Sequence, residues 1–386
     1  MLTKEGCLGR RQFLWERLPE HIDWVLIGDR RHVQYFCNFR VNPVTFSADQ
    51  SCLLLLQRSG EATLLADNFV RRTATETPFV DEEVIVPWYD HRHSVGNRDH
   101  ALLKALQQCS SRWATGQGVI ETEAVSHMIA SVVAANVDFD RLPGADNTLG
   151  SLIRTLRRRK WPDEIEQLKL CMQACDAGHR AAFEVVRPGV TELDVYIAIQ
   201  QAAEREAGCA CVVYGDFRAT NRKQYKAGGL PTRYELQSGD LFIVDYSVVL
   251  NGYRSDFTNT IAVGDPAEDQ VRHFEACRDA LLAAQSVVRA GVSGAEVYHA
   301  ASEIFLQRGF PALSHHCGHG LGLEHPEPPV LVSESTDQLL ENDVITLEPG
   351  LYVDGVGGMR FEHNYRVTNT GAEQLSHHIL GLTSNG

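Results

Sequence analysis

No run of about 18 consecutive apolar residues occurs in this 386-residue chain, so no membrane-spanning helix is expected. The opening stretch MLTKEGCLGRRQF also lacks the continuous apolar core of a secretion signal, and the expectation is a soluble, cytoplasmic protein with no membrane partner. Basic residues are scarce. The chain carries 36 Lys and Arg against 50 Asp and Glu, a formal net charge of −14, which argues against nucleic acid as a partner. The one basic cluster, Arg157-Arg158-Arg159-Lys160, reads as a solvated interdomain segment. Ten Cys are too few and too scattered for a disulfide scaffold. Cys171 and Cys175, or Cys209 and Cys211, have spacings that could serve zinc, but buried free thiols are the reading favoured. Phosphate loops and dinucleotide fingerprints are missing, and no His falls between His179 and His273.

What is present suits two domains. Up to about residue 150, ending near Asp146-Asn147, strands alternate with helices. Trp24–Ile27, Val33–Phe36, Leu53–Leu56, Ala62–Leu65, Glu83–Val86 and Gly118–Ile120 read as strands. Arg11–Pro19 and Asp99–Gln108 read as helices, giving an α/β domain over residues 1–150. His91 and His93 belong to a polar surface loop. Residues 151–386 have a different texture. Pro162-Asp163-Glu164 opens a long helix to about Val186, and Thr191 caps the next, to about Ala207. Asp265, as N-cap, starts a helix to about Arg289, and Ser293 with Glu296 starts one that ends at Gly309.

Within this second domain, Ile243–Leu250 is a β-rich run followed by Asn251-Gly252, the pair that supplies two positive-φ residues to a type I′ hairpin. Counting outward sets Leu250 opposite Tyr253 and Ser247 opposite Asp256, so Asp245 and Asp256 are diagonal neighbours on one face. Two converging carboxylates on an apolar hairpin repel and lose hydration, and a metal ion between them relieves both costs. The arrangement occurs twice. VVRPGVTELDVY (185–196) returns as VVRAGVSGAEVY (287–298), 102 residues on, and Asp240–Asp245 returns as Asp343–Glu348, 103 residues on. A second acidic strand, Met359–Glu362, follows Glu348. Halves related by a pseudo-twofold axis would bring four carboxylates to one point, in an α+β domain. His319, with a Gly on each side, is a candidate nitrogen ligand. One His and four carboxylates form a hard donor set suited to a pair of Mn, Co, Fe or Zn ions.

The order Asp245, Asp256, His319, Glu348, Glu362, within GYRSDFTNT, HHCGHGLGLE, LEPGLYV and GGMRFEHNYRVT, resembles that of the pita-bread metallopeptidases. These include methionine aminopeptidase, aminopeptidase P, prolidase and creatinase. The resemblance covers about Arg154 to Leu382. The N-terminal part resembles, more weakly, the creatinase/prolidase N-terminal domain, pointing to the prolidase and Xaa-Pro aminopeptidase branch. It implies a pita-bread catalytic domain over residues 151–386, a homodimer, two divalent ions with manganese foremost, and a small peptide or small-molecule substrate. By the same resemblance, a metal-bridging hydroxide attacks the amide carbon, Glu348 shuttles the proton, His315 is a further active-site His, and Arg360 stands beside the metal carboxylates.

The chain also departs from that pattern. Where the family carries a His seven residues after the ligand His, this chain has Pro326, and its His325 sits one place early. Where the family carries a His before the first Asp ligand, Gly228 stands. Ser247 replaces a Gly and His363 an Asp. His325 is the candidate substitute, but on a strand of period two it points elsewhere unless a bulge re-aims it. The expectation is a metal-dependent hydrolase of the Xaa-Pro aminopeptidase or dipeptidase type, with weak turnover of simple Xaa-Pro peptides. The alternatives are a creatinase-like or other enzyme acting on a non-peptide small molecule, and a catalytically silent homologue.

Overall fold

The structure is a computed structural model that describes residues 1–45, 52–74, 76–138, 142 and 147–384. The expected end of the first domain near Asp146 lies outside the described residues. Two compact units divide the chain, Met1–Arg157 and Arg158–Gly386.

In the first unit the elements are α1 (Lys4–Trp15), β1 (Ile22–Ile27), α2 (Arg30–Cys37), β2 (Leu53–Gln57), β3 (Ala62–Asp67) and α3 (Asn68–Thr73). They are followed by β4 (Glu82–Val86), α4 (Arg98–Gln108), β5 (Gln117–Ile120), α5 (His127–Val133) and α6 (Leu149–Leu156). The strands form one mixed sheet in the order β4-β3-β2-β1-β5, the α/β arrangement expected. Two expectations fail here. Val33–Phe36, read as a strand from its β-branched and aromatic residues, lies inside α2. Asp29 caps that helix by accepting from the Arg31 N–H, and Asn38 closes it at φ 60°, so the end signals outweigh strand propensity. The first helix begins at Lys4, capped by Thr3, well before Arg11. Arg10 and Arg11 are buried and donate to the C-terminal carbonyls of α2 at Tyr35 (2.7 Å) and Phe36 (2.9 Å).

The second unit runs α7 (Pro162–Val185), α8 (Glu192–Ala207), β6 (Val212–Thr220), β7 (Leu241–Leu250), β8 (Tyr253–Arg254) and β9 (Phe257–Ala262). It then repeats the theme with α9 (Glu268–Val287), α10 (Gly294–Gln307), β10 (Gly318–Gly320), β11 (Glu327–Leu331) and β12 (Val344–Leu347). β13 (Gly350–Val353), β14 (Gly357–Arg360), β15 (His363–Val367) and β16 (Ala372–Gln374) complete it. In the first half β7 lies between β6 and β9; in the second β12 lies between β10 and β15, all antiparallel.

Several backbone hydrogen bonds recur in both halves. Gly189 N–H donates to the Leu236 carbonyl (2.9 Å) and Gly291 N–H to that of Leu339 (2.8 Å). Thr191 bridges Glu235, and Ser293 bridges Gln338. Thr191 with Asp194, and Ser293 with Glu296, are matching capping boxes. The internal repeat is therefore structural. One helix start shifts: α9 begins at Glu268 rather than after Asp265, because the Gln270 side chain reaches back to the Ala267 N–H at 2.9 Å. The basic cluster is also corrected. Arg157, Arg158 and Lys160 are buried and only Arg159 is exposed. Arg158 pairs with Asp343 at 2.8 Å and Lys160 with Glu327 at 2.7 Å, so carboxylates inside the second unit take up the charge that the sequence seemed to leave for water.

Candidate metal centre

The hairpin register is the one counted from the turn. Asn251 and Gly252 have φ of 51° and 81°, Leu250 pairs with Tyr253, and Asp245 pairs with Thr258. Ser247 Oγ stands 3.5 Å from Asp256 Oδ1. Asp245, Asp256 and Glu362 each bring a carboxylate oxygen within 4.8 Å of the others. In the second half β12 ends at Leu347, paired with His363, and the same register continued sets Glu348 opposite Glu362. Glu362 is not on a strand of its own: β14 stops at Arg360, and Glu362 occupies the short link to β15. Its N–H donates to the Thr258 carbonyl at 3.0 Å and its Oε2 accepts from the Thr258 hydroxyl at 2.6 Å, tying the second half to the first.

His319 lies on β10 between two glycines that the packing requires. A Cβ on Gly318 would meet the Thr346 carbonyl oxygen at 2.0 Å, and one on Gly320 the Pro328 carbonyl oxygen at 2.2 Å. With the His319 Nδ1–H donated to the Gly320 carbonyl (2.9 Å), Nε2 is directed at Asp256 and Glu348, 3.4 Å from each. Such a carbonyl partner fixes the tautomer in which the other ring nitrogen can ligate a cation.

Electrostatics set the carboxylates apart. Burial pushes Glu362 well above the usual carboxylate range, and its neighbours Glu348, Asp256 and Asp245 push it further. Asp245 is raised too, chiefly by burial, against the pull of Arg360. Burial acts most strongly on Asp256 as well, yet His319 and His325 together hold it below its ordinary value. Glu348 is likewise lowered against burial, by His316, His319 and Arg360. His319 is raised to about 9 because Asp256 and Glu348 outweigh burial. Glu362 Oε1 is buried and has no hydrogen-bond partner. An orphaned carboxylate oxygen amid three other buried or half-buried carboxylates fits divalent cations: it is the charge pattern that an ion resolves and a hydrogen-bond network would not leave.

Arg360 contacts the Asp245 carboxylate, donates to Tyr352 Oη at 2.7 Å, and lies 3.9 Å from Glu348 Oε2. His315 donates Nδ1–H to the His316 carbonyl (2.8 Å), and its Nε2 is buried without a partner; burial lowers it to about 4. It lines a cavity of about 420 Å³ with Lys226, Gly228, Ser314, Tyr352 and Arg360. Gly228 thus leaves that wall bare, as its lack of a side chain requires. His363 turns away to Ser376 Oγ (2.9 Å) and the His378 ring.

The irregularity that would re-aim His325 is present. The His325 Nε2 lies 2.6 Å from Asp256 Oδ2, and its ring centroid is 4.8 Å from that of His319. The reason is local. His319 pairs with Val330 but Gly320 pairs with Glu327, so the β10–β11 register breaks between them. His325 therefore sits in a bent segment before β11, where strand alternation does not apply. Glu327, the first residue of β11, is held by buried Lys160. The sequence reading also missed His316, whose Nδ1 stands 3.3 Å from Glu348 Oε1, although it adjoins His315 in the same histidine-rich stretch. Thr258 and Thr346, which donate to Glu362 and Glu348, carried no sequence signal.

Residues 166–369 match the model of metallopeptidase family M24, and residues 17–158 that of the creatinase/prolidase N-terminal domain. An uncharacterized peptidase of Staphylococcus aureus is 26% identical over 353 residues, covering 90% of this chain and 92% of its own. Among solved structures, an Xaa-Pro dipeptidase from Bacillus anthracis aligns with a TM-score of 0.76 at 23% identity, covering 99% of both chains. An X-Pro aminopeptidase from Thermotoga maritima gives 0.78 at 20% identity, again over 99% of both. A prolidase from Pyrococcus furiosus gives 0.72 at 23%, over 95% of this chain and 99% of its own. These likenesses establish the two-domain fold. The M24 match takes in more than half of the chain and every carboxylate and imidazole gathered at the centre, and the chain belongs to metallopeptidase family M24.

Proposed function

We propose that this protein is a metal-dependent hydrolase of small peptides, of the Xaa-Pro dipeptidase or aminopeptidase type. Asp245, Asp256, His319, Glu348 and Glu362 would hold two divalent ions. Manganese is the ion proposed, because four of the five donors are carboxylates. A cytoplasmic homodimer, with domains at 1–150 and 151–386, is proposed from the same family resemblance. The observation that carries the reading is the position of His325 at 2.6 Å from Asp256, which returns an imidazole to a centre that the sequence seemed to have stripped of one.

Divalent ions supply Lewis acidity at such a centre. The chain's own residues do the rest. Arg360 neutralises Asp245 and, through Tyr352, fixes one wall of the cavity. His315, neutral at physiological pH, presents the Nε2 lone pair to that cavity and can accept a hydrogen bond from a substrate N–H. His325, held on Asp256, is the imidazole available to the reacting carbonyl, and Glu348 carries the proton at its carboxylate. The expectation of weak Xaa-Pro turnover rested on Gly228 as well as on His325; the approach of His325 to Asp256 removes the second ground, and the bare wall at Gly228 keeps the first.

A second reading has its own observation. The cavity wall is bare at Gly228 and bears Lys226, so a non-peptide small molecule with an anionic group also fits it. The deciding experiment couples ion analysis of the purified protein to a substrate panel. Two ions per chain with Xaa-Pro turnover below about 10 s⁻¹, because Gly228 leaves one position without an imidazole, is the expected result. Ions bound with no turnover of any peptide would reject the peptidase reading in favour of the second.

A further inference from the structure

His315 and His316 lie in the segment between α10 and β10, and neither belongs to the five-residue donor set above. We propose that they form, with Glu348, a further site for a transition-metal ion, beside the pair assigned to the carboxylates. One ring nitrogen from each histidine and one Glu348 oxygen lie within 4.8 Å of one another. The His315 Nδ1–H is spent on the His316 carbonyl at 2.8 Å, which leaves Nε2 as its lone-pair nitrogen, and that atom is buried with no partner. His319 uses the same device, with Gly320 as its carbonyl partner. A ring held this way is oriented and ready to ligate. His316 Nδ1 is the second nitrogen. It is buried and stands 3.3 Å from Glu348 Oε1, without the alignment of a hydrogen bond. Two ring nitrogens without hydrogen-bond partners beside one carboxylate are what a bound cation would satisfy.

The donor chemistry separates this site from the all-carboxylate group and matches that of Asp256, His319 and His325. Asp245, Asp256 and Glu362 form an all-oxygen group, whereas here two imidazoles meet one carboxylate. Two nitrogens and an oxygen favour zinc, cobalt or ferrous iron over manganese or magnesium, with water completing the shell. The site is reachable from solvent, since the His316 side chain is 40% exposed and His315 lines the 420 Å³ cavity. Arg360, 3.9 Å from the other oxygen of Glu348, places a positive charge nearby. One carboxylate against four makes the site weaker than the carboxylate pair, so its ion exchanges. An ion here engages His315 at the cavity wall and competes with substrate. On the function proposed above, zinc then acts as an inhibitor of the manganese-loaded enzyme.

The test starts from manganese-loaded, desalted full-length protein titrated with Zn²⁺, with bound ions counted by elemental analysis after gel filtration. A parallel titration with Co²⁺ reads the visible spectrum of an imidazole-bound ion. Wild type is expected to bind one ion more than His316→Ala, and His316→Ala to keep the pair. His316→Gln, which keeps a polar group beside Glu348 but supplies no imidazole, should lose the same ion and guards against a folding defect in the Ala variant. Asp256→Ala should lose an ion of the pair and keep the additional one; unchanged binding there would sink the carboxylate assignment while leaving the histidine comparison intact. The zinc concentration for half-inhibition should rise at least about tenfold in both His316 variants. Equal ion counts in wild type and both His316 variants at saturating zinc overturn the proposal.

Discussion

Asp240 closes the turn before β7 by accepting from the Gln237 N–H at 2.9 Å, and Asp343 closes the turn before β12 by accepting from the Leu340 N–H at 2.7 Å. Five residues on, each strand delivers a carboxylate, Asp245 in one half and Glu348 in the other. Beyond this shared frame the halves diverge. The first is a hairpin with no inserted element, its return strand broken only at Ser255-Asp256, and Asp245 and Asp256 sit diagonally in it. In the second, the β13–β14 hairpin is inserted between Glu348 and Glu362, which face each other. The oxygen donors are shared between halves, while the imidazoles at the centre, His315, His316, His319 and His325, all come from the second. Buried N–H and C=O groups must be satisfied in both copies, so the backbone plan persists. Side chains at the centre carry no such obligation and have specialised.

The largest effect should come from removing a donor on either side of the repeat. Asp256→Ala and Glu348→Ala are each expected to lose at least one ion per chain and to lower kcat by about 10³-fold or more, since the loss removes Lewis acidity worth several kcal/mol. Elemental analysis beside steady-state kinetics reads both, and full ion content in both variants would refute a shared oxygen cage. His319→Ala should behave like them, because it removes a donor. His325→Ala should be milder. Ion content is expected to stay within error of wild type while kcat falls about 10²-fold, the lower end of what a positioned imidazole contributes. An unchanged kcat would show that the second half's extra imidazole contributes nothing to turnover.

A stability comparison sharpens the contrast between equivalent residues. Asp343 bears a turn and also buried Arg158 (2.8 Å), whereas Asp240 bears a turn and the Tyr234 hydroxyl (2.9 Å). Asp343→Ala leaves a nearly buried guanidinium with only the more exposed Asp337 at 3.6 Å and the Gln338 carbonyl, and should cost about 3 kcal/mol in urea unfolding. Asp240→Ala leaves only neutral donors and should cost about 1–3 kcal/mol. Similar losses would mean that the ion pair adds nothing to the repeat. The smallest effect should be symmetric. Gly189 and Gly291 hold φ of 85° and 89°, and a methyl added at either would have nothing within 4 Å, so Ala there should cost roughly 1–2 kcal/mol from backbone strain alone. A clear inequality between the two would show that the turns differ in a way their hydrogen bonds do not.

Much of this was legible in the chain. Asn251-Gly252 fixes a two-residue turn, and a strand's period of two then fixes which residues face one another, so the Asp245–Asp256 geometry followed from counting. The repeat was readable because the capping residues Thr191 and Ser293, and the turn residues Asp240 and Asp343, act through local hydrogen bonds that their own neighbours specify. The aim of His325 was not, because it depends on a register break between β10 and β11 that pairing across the sheet decides. Nor was the burial of Arg158 and Lys160, whose partners Asp343 and Glu327 lie far along the chain. The Val33–Phe36 segment belongs with these: its strand-forming residues gave way to end caps and to the packing of α1. Sequence alone determined the turns and the repeat, since each rests on contacts within a few residues. Tertiary structure decided which way His325 points, where the basic cluster is neutralised and that His316 meets Glu348, since each needs a partner brought from elsewhere in the chain.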